Sequence, residues 1–510
     1  MKTLRLFAGG HALTNVTPEL AGYDTYKFKL YVDFALLNLT VVDPSLPPPV
    51  LAIRPLDALS QRMTPANDSI ETLRQPMKTR NDQLNGRQAN QPRAVGWGGQ
   101  RPRWRFAAAL LCLTLLGKAI PAAHGITRTM RLEGLSSGKF WSDPGNWDPA
   151  GVPQDGDDLI LSYSGLFINP EVSFNDLTNL TVHSLEFSDS VPSPGFTTEF
   201  YVVGHELRVT GSVKLTDSIE TKAYVRCPMR LASTVSIQNF DNFGSCELHL
   251  DTAVDLNGHS LAATAADVNA VILSGPITGQ GDLHVYPGGP VRISGTGANT
   301  FQGSITLHGG PDGSRVLLDK QGGNAVPGGL SIGSNSSVKL ERSHQIADTS
   351  TVSISSGAEL LLQGHDDTLG SVILLNSWAD TPEAAVRTAG GLLTVEGDIV
   401  TSSLSPLATH LIQGRLELPT GEHVIDVSSA GYAGLDIQAQ ISGFGNFTKT
   451  GNGALILSAS NSFNSSITIA EGMLEVRHNH ALGDFAGSTA LGAGALTLRD
   501  VAIGEELLFA

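Results

Sequence analysis

The sequence predicts an all-β chain whose short strands stack into a solenoid. Stretches of three to five residues that alternate apolar and polar side chains recur from residue 157 onward. Gly, Asn, Ser and Asp, which favour turns, separate these stretches, and no long stretch of strong helix formers lies between them. Such short strands cannot bury their apolar faces alone, and stacking them along one axis buries these faces.

The charge of the chain divides it near residue 105. The 510 residues include 33 Lys+Arg and 49 Asp+Glu. Residues 1–105 carry 14 basic and 8 acidic residues, a net charge of +6, and the remainder has a net charge of −22. Because binding to phosphates requires basic side chains, we do not expect this acidic remainder to bind nucleic acid.

The N-terminal part is predicted to be a leader region followed by a signal peptide. Residues 1–100 are predicted to be disordered or not translated, with Met77 as an alternative start. A secretory signal peptide is predicted at 101–124, where three arginines precede an apolar run and a proline with small residues follows it. This run is shorter than the roughly 20 apolar residues that span a bilayer. We therefore expect export, and no transmembrane span beyond the signal peptide.

The cysteines allow two interpretations. Cys112 lies in the apolar run, so the exported part keeps Cys227 and Cys246. Two cysteines in an exported chain could form one disulfide. Two unpaired thiols that pack as small hydrophobic side chains are an equally good alternative.

An internal repeat lies within residues 201–510, the segment predicted to be the β-helix. Its clearest copies are 277–318 and 441–476. The positions with expected structural roles are Gly279, Gly281, Asn299 and Phe301 in the first copy, and Gly443, Gly445, Gly451, Gly453, Asn461, Phe463 and Gly472 in the second. We expect the asparagines at turns, where they can bond to the backbone, and the phenylalanines inside the solenoid.

The second copy resembles the autotransporter-associated β-strand repeat, the passenger-associated repeat of secreted bacterial proteins. The resemblance rests on residues 445–476, whereas the first copy departs from the pattern at Tyr286. Residues 140–157 are similar to the segment that opens the mature region in proteins with these repeats. The resemblance implies a right-handed parallel β-helix, with residues 125–200 as an N-terminal capping segment and first strands, in a protein displayed on the cell surface or released.

Trp141 and Trp147 in this capping segment have two alternative roles. Two aromatic faces six residues apart, among Asn and Asp, could contact a glycan by stacking on a sugar ring. They could also close the open end of the solenoid core, since the ends of repeat proteins need a cap. We prefer the cap.

The sequence predicts no catalytic residue, no metal ligand and no cofactor. Residues 134–138 match the nucleophile-elbow pattern without the strand–turn–helix that it requires. The acidic clusters at 155–158 and 365–367 could bind Ca²⁺ or act in acid–base chemistry, but solvated turns are the preferred interpretation. The 14 histidines show no metal-ligand spacing.

These patterns favour a non-enzymatic, exported bacterial protein that acts as an adhesin-like or structural surface stalk. The expected partners are surface glycans or other cell-surface components. The alternatives are a polysaccharide lyase or hydrolase, or a sugar-binding module, on the same scaffold. Three or more Asp, Lys or Arg side chains that converge in a groove across successive turns would favour the enzyme.

Overall fold

The computed structural model describes residues 16–20, 25–32, 35–42, 125–132, 139–163, 171–189, 198–216, 220–240, 245–376, 383–405, 408–429, 434–483, 487–503 and 506–509. The chain divides into two compact units, 1–100 and 101–510. All regular structure in the described part is β-strand, apart from one 3-10 helix at Pro144–Asn146. The all-β prediction is therefore confirmed.

The first unit contains one antiparallel sheet. Strands β1 (Val16–Leu20), β2 (Thr25–Val32) and β3 (Ala35–Val42) pair in chain order. Residues 25–32 alternate polar and apolar side chains, the period of a strand with two different faces. These strands fall within residues 1–100, for which the assignment as a leader region stays a prediction. The proposed signal peptide, Cys112 and Met77 lie outside the described residues.

The second unit is a solenoid of two long sheets, here called sheet I and sheet II. Sheet I contains β4 (Thr127–Leu132), β6 (Trp147–Asp148), β7 (Asp158–Tyr163), β9 (Thr181–Asp189), β11 (Leu207–Thr216), β13 (Met229–Leu231), β14 (Val235–Asn239), β16 (Val254–Asp255), β17 (Leu261–Ala265), β19 (Ile277–Thr278), β20 (Leu283–Val285), β22 (Ile305–Leu307), β24 (Leu330–Ile332), β26 (Thr351–Ile354), β29 (Ser371–Asn376), β31 (Ile399–Ser403), β33 (Glu422–Ser429), β36 (Asn446–Thr450), β38 (Ile467–Ile469), β40 (Ser488–Leu491) and β42 (Glu506–Phe509).

Sheet II contains β5 (Lys139–Phe140), β8 (Glu171–Asn175), β10 (Thr198–Gly204), β12 (Thr221–Arg226), β15 (Glu247–Leu250), β18 (Ala270–Leu273), β21 (Pro290–Gly295), β23 (Arg315–Lys320), β25 (Ser337–Leu340), β27 (Glu359–Leu361), β28 (Asp367–Leu369), β30 (Ala385–Val395), β32 (His410–Leu418), β34 (Gly434–Ile437), β35 (Gln440–Gly443), β37 (Ala454–Leu457), β39 (Met473–Val476) and β41 (Ala495–Leu498). The chain passes repeatedly from one sheet to the other, and apart from the antiparallel pair β4–β6 the strands of successive turns pair in parallel. The parallel β-helix is thereby confirmed, whereas its handedness stays a prediction.

The register of the turns stacks apolar side chains into a continuous core. In sheet I, Leu261 pairs with Leu283 and then Ile305, each 22 residues after the last. Leu330 follows 25 residues later, because the turn between β22 and β23 is longer. All four side chains are at most 2% exposed. Burying each one stabilises the fold by about 1.5–3 kcal/mol.

The first strand of the solenoid has two neighbours in sheet I. β4 pairs in parallel with β7 and antiparallel with the short strand β6. The 3-10 helix at Pro144–Asn146 leads directly into β6, and the Asp143 side chain accepts a hydrogen bond from the Gly145 amide at its start. The chain therefore runs back along β4 as β6 before the regular parallel strands begin with β7.

The repeated asparagines tie three turns together. The Asn299 side chain accepts a hydrogen bond from the Ile277 amide (2.9 Å) and donates one to the Ala325 carbonyl (2.8 Å). Asn461 makes the same two bonds, from the Ile441 amide (2.8 Å) and to the Ala481 carbonyl (2.6 Å). Both side chains are buried. Each asparagine satisfies backbone groups that the core would otherwise leave without partners.

The repeated phenylalanines and glycines have packing roles in the same turns. Phe301 and Phe463 are each 2% exposed. Gly281 and Gly443 adopt φ of 135° and 108°, a region that favours glycine. A Cβ at Gly281 would lie 1.9 Å from the His259 carbonyl oxygen, so no larger residue fits there. The other glycines of the repeat, Gly279, Gly445, Gly451, Gly453 and Gly472, lie at the turns between strands of the same segments.

Candidate functional site

The two tryptophans of the capping segment lie inside the solenoid. Trp141 is 0% exposed and Trp147 is 3% exposed. Their rings meet edge to face, with centroids 5.9 Å apart. The Trp147 Nε1 group donates to the Trp141 carbonyl (3.0 Å), and the Trp141 Nε1 group donates to Ser173 Oγ (2.6 Å). Each indole is thus packed and hydrogen-bonded within the fold.

This arrangement presents neither indole face to solvent. A sugar ring that stacked on Trp141 or Trp147 would have to replace contacts with the first turns of the core. The glycan contact at these residues therefore stays a prediction that requires the segment to open. The packing is what a cap needs, since it adds buried aromatic area at the end of the apolar column.

The two cysteines of the solenoid lie at opposite ends of neighbouring strands. Lys222 pairs with Glu247, which places Cys246 beside Thr221, and the Thr221 amide lies 3.3 Å from the Cys246 sulfur. Cys227 lies six residues further along, a separation of about 20 Å at the usual rise per residue. A disulfide needs Cα atoms within about 7 Å. Both cysteines are free and buried, so the disulfide alternative is not supported.

The acidic clusters noted in the sequence contain buried carboxylates with structural roles. Asp157 is 2% exposed, forms an ion pair with Arg128 (2.6 Å) and accepts from the Ile126 amide (2.9 Å). Asp367 is also 2% exposed and accepts from the Gln345 amide (2.9 Å). The interpretation of these two residues as solvated turn carboxylates is therefore wrong, because both lie in the interior between turns.

Burial raises the pKa of Asp367 from 3.8 to about 7. Because the pKa is higher in the folded state, ionisation destabilises the fold progressively as the pH rises from about 4 to about 7. Asp367→Asn mimics the protonated carboxyl group and does not titrate. The free energy of unfolding of this variant minus that of the wild type should therefore increase by about 1–3 kcal/mol between pH 5 and pH 8. Urea unfolding of both proteins at the two pH values measures this difference. If the difference between the two proteins were the same at both pH values, ionisation of Asp367 would not destabilise the fold.

Two lysines are buried, and neither forms an ion pair with a carboxylate among the residues that the structure describes. Lys449 Nζ donates to the carbonyls of Thr450 (2.6 Å), Gly451 (2.8 Å) and Glu471 (3.1 Å). Lys320 Nζ donates to the Gly275 carbonyl (2.9 Å). Burial lowers the pKa of each lysine to about 8. Both side chains connect turns, and no alternation pattern in the sequence distinguishes them from exposed lysines.

A polar cleft lies at one corner of the solenoid, where the chain passes from sheet I to sheet II. Its volume is about 550 Å³, and Asp267, Gly288, Asp312 and Arg315 line it. These residues belong to the turns that follow β17, β20 and β22 and to the start of β23. Three charged side chains therefore line one groove: Asp267 comes from one turn, Asp312 and Arg315 come from another, and Gly288 belongs to the turn between them. Convergence of charged side chains in a groove is the feature that would favour an enzyme.

Arg315 is held by the backbone of the cleft. Its Nη2 atom donates to the Gly288 carbonyl (3.1 Å), and its Nε atom lies 3.3 Å from the same oxygen. Among the described residues, Asp267 and Asp312 make no side-chain hydrogen bond or ion pair, so both carboxylates remain available. The cleft can accept hydroxyl groups at its carboxylates and attract an anionic group at Arg315.

This cleft has no local signature in the sequence. Asp267, Asp312 and Arg315 lie within 50 residues of one another but share no motif, and only the register of the turns brings them together. A repeat alignment that included the longer turn after β22 could have identified this corner.

The described part of the chain shows neither a metal centre nor a membrane helix. No group of three or more His, Cys, Asp or Glu side chains within it is arranged to hold a metal ion. None of its helices is long and apolar enough to cross a membrane. The nucleophile-elbow match at 134–138 falls outside the described residues.

One segment of the chain matches a known protein family. Residues 447–476 match the family model of the passenger-associated-transport-repeat. No curated protein and no solved structure matches the chain. The matched segment runs from Phe447 in β36 to Val476 at the end of β39, two successive turns of the solenoid. The match and the fold together fit an autotransporter passenger β-helix repeat, in agreement with the resemblance of residues 445–476. Passenger repeats of this type imply export toward the cell surface.

Proposed function

We propose that this chain is an exported, non-enzymatic passenger-type protein that serves as an adhesin-like or structural stalk at the cell surface. The observation that carries the proposal is the passenger repeat at 447–476 within a continuous parallel β-helix. A solenoid of this kind presents a long, repetitive surface, and the net charge of −22 over residues 106–510 keeps that surface soluble and self-repelling.

Cell fractionation tests the proposal. The protein should appear in the culture supernatant or the outer-membrane fraction, and its N-terminus should lie near residue 125 if the signal peptide is cleaved where the sequence suggests. Deletion of residues 101–124 should retain the protein in the cytoplasm. Recovery of the unaltered protein only from the cytoplasm would contradict export.

The cleft favours a second candidate function, binding or cleavage of a polysaccharide. Carboxylates are the acid–base groups of most glycosidases, and Arg315 would attract an acidic sugar. Polygalacturonate is a suitable first probe. Asp312→Asn should abolish binding or cleavage, whereas Asp348→Asn, at an exposed turn further along the chain, should leave it unchanged. Equal behaviour of the wild type and both variants would exclude a role for the cleft with this polymer.

A further inference from the structure

Two histidines lie close together on the outer face of sheet I. His284 is in the middle of β20, and His308 follows β22 in the next turn. Both side chains are half-buried and in contact with solvent. His308 Nε2 lies 3.3 Å from His284 Nδ1, and the ring centroids are 5.3 Å apart with planes inclined at 41°. One ring nitrogen of each histidine therefore faces the other ring at an accessible surface.

A neighbouring aromatic ring holds one of these imidazoles in place. Because Val285 pairs with Leu307, Tyr286 lies directly beside His308. The two rings stack with centroids 4.3 Å apart and planes only 5° from parallel. This stacking restricts rotation of the His308 ring, so the pair of nitrogens does not depend on two freely moving side chains.

The separation of the two nitrogens fits a shared metal ion. Zn–N bonds are about 2.0–2.1 Å long, and a tetrahedral angle between two of them places the nitrogens about 3.3 Å apart. That value equals the observed separation. The same separation also admits a direct N–H···N hydrogen bond between the two rings, and metal titration distinguishes the two arrangements.

The surroundings keep the imidazoles available as ligands. Within the described residues, neither imidazole forms an ion pair with a carboxylate or a hydrogen bond to the backbone, in contrast to His249, which contacts Glu247 at 2.8 Å. Carboxylates and backbone groups therefore do not occupy the ring nitrogens that face each other.

We propose that His284 and His308 form a chelating site for a divalent metal of the zinc type on the outer face of sheet I. Imidazole ligands favour Zn²⁺, Ni²⁺ and Cu²⁺ over Mg²⁺ and Ca²⁺, which prefer oxygen. Since the described part of the chain supplies two ligands, water or an external donor completes the coordination. The bound ion exchanges readily and leaves positions open to a donor from another molecule.

Zinc binding to the full-length chain tests this proposal. Isothermal titration of the wild type with ZnCl₂ at pH 7.5 should show one equivalent of Zn²⁺ that the double variant His284→Ala/His308→Ala lacks. The double variant His478→Ala/His480→Ala is the matched control, because those rings also lie close together, with centroids 6.0 Å apart. The control should keep the equivalent. Identical stoichiometry in the wild type and the His284/His308 variant would overturn the site.

A second measurement uses the unaltered chain and needs no substitution. Diethyl pyrocarbonate modifies accessible histidines, and mass spectrometry locates the modified residues. Zn²⁺ should protect His284 and His308 while leaving the modification of His478 unchanged, and Mg²⁺ should protect none of them. Equal modification of His284 and His308 with and without Zn²⁺ would contradict the proposal.

Discussion

Trp147→Ala should unfold the N-terminal turns of the solenoid rather than remove a ligand contact. The substitution deletes a side chain that is 3% exposed, its edge-to-face contact with Trp141 and its hydrogen bond to the Trp141 carbonyl. Replacing a buried tryptophan by alanine costs about 3–5 kcal/mol. We therefore expect a lower urea midpoint and rapid proteolysis within residues 139–189.

The matched control is Phe140→Ala, one residue before the buried pair. Phe140 is 52% exposed and stacks on Phe174 at the outer face of sheet II. Its loss should change the free energy of unfolding by less than about 1 kcal/mol. A Trp147→Ala protein that keeps wild-type stability and loses glycan binding would refute the cap and establish the sugar-binding role.

Phe463→Ala should produce a comparable loss in the passenger repeat itself. Phe463 is 2% exposed and meets Phe447 edge to face, with centroids 5.8 Å apart. Removing the ring leaves a cavity between two turns, at a cost of about 3–5 kcal/mol. Because each turn of a solenoid contacts only its neighbours, the damage should concentrate in residues 434–483. Hydrogen exchange read by mass spectrometry locates it.

Phe444→Ala provides the comparison within the same repeat. Phe444 is 69% exposed, and its loss should leave the urea midpoint and the exchange pattern close to those of the wild type, within about 0.5 kcal/mol. If both substitutions had equal effects, the packing of Phe463 inside the solenoid would not explain why the repeat places an aromatic residue there.

The solenoid could be predicted because its determinants are local. Alternating strands and Gly or Asn turns are visible along the chain, and the repeated pairs Asn299–Phe301 and Asn461–Phe463 indicate equivalent turns. The hydrogen bonds of Asn461 to the turns before and after it follow from the same stacking.

The cleft and the histidine pair could not be predicted because both depend on register. His284 and His308 are 24 residues apart, whereas Leu283 and Ile305 are separated by 22. The imidazoles approach diagonally, and sequence spacing alone does not distinguish this arrangement from rings on opposite faces. Asp367 and Lys449 were missed for a related reason, since burial of a charged side chain is decided by the turns above and below it.

The short strand β6 also has a consequence for assembly. It occupies part of the hydrogen-bonding edge that β4 would otherwise offer to another chain. Exposed strand edges invite edge-to-edge association, and natural β proteins cover or interrupt them. The pairing of Thr129 with Asp148 and of Met130 with Trp147 blocks strand addition at this end. Copies of the chain are therefore not expected to join into fibres through this edge.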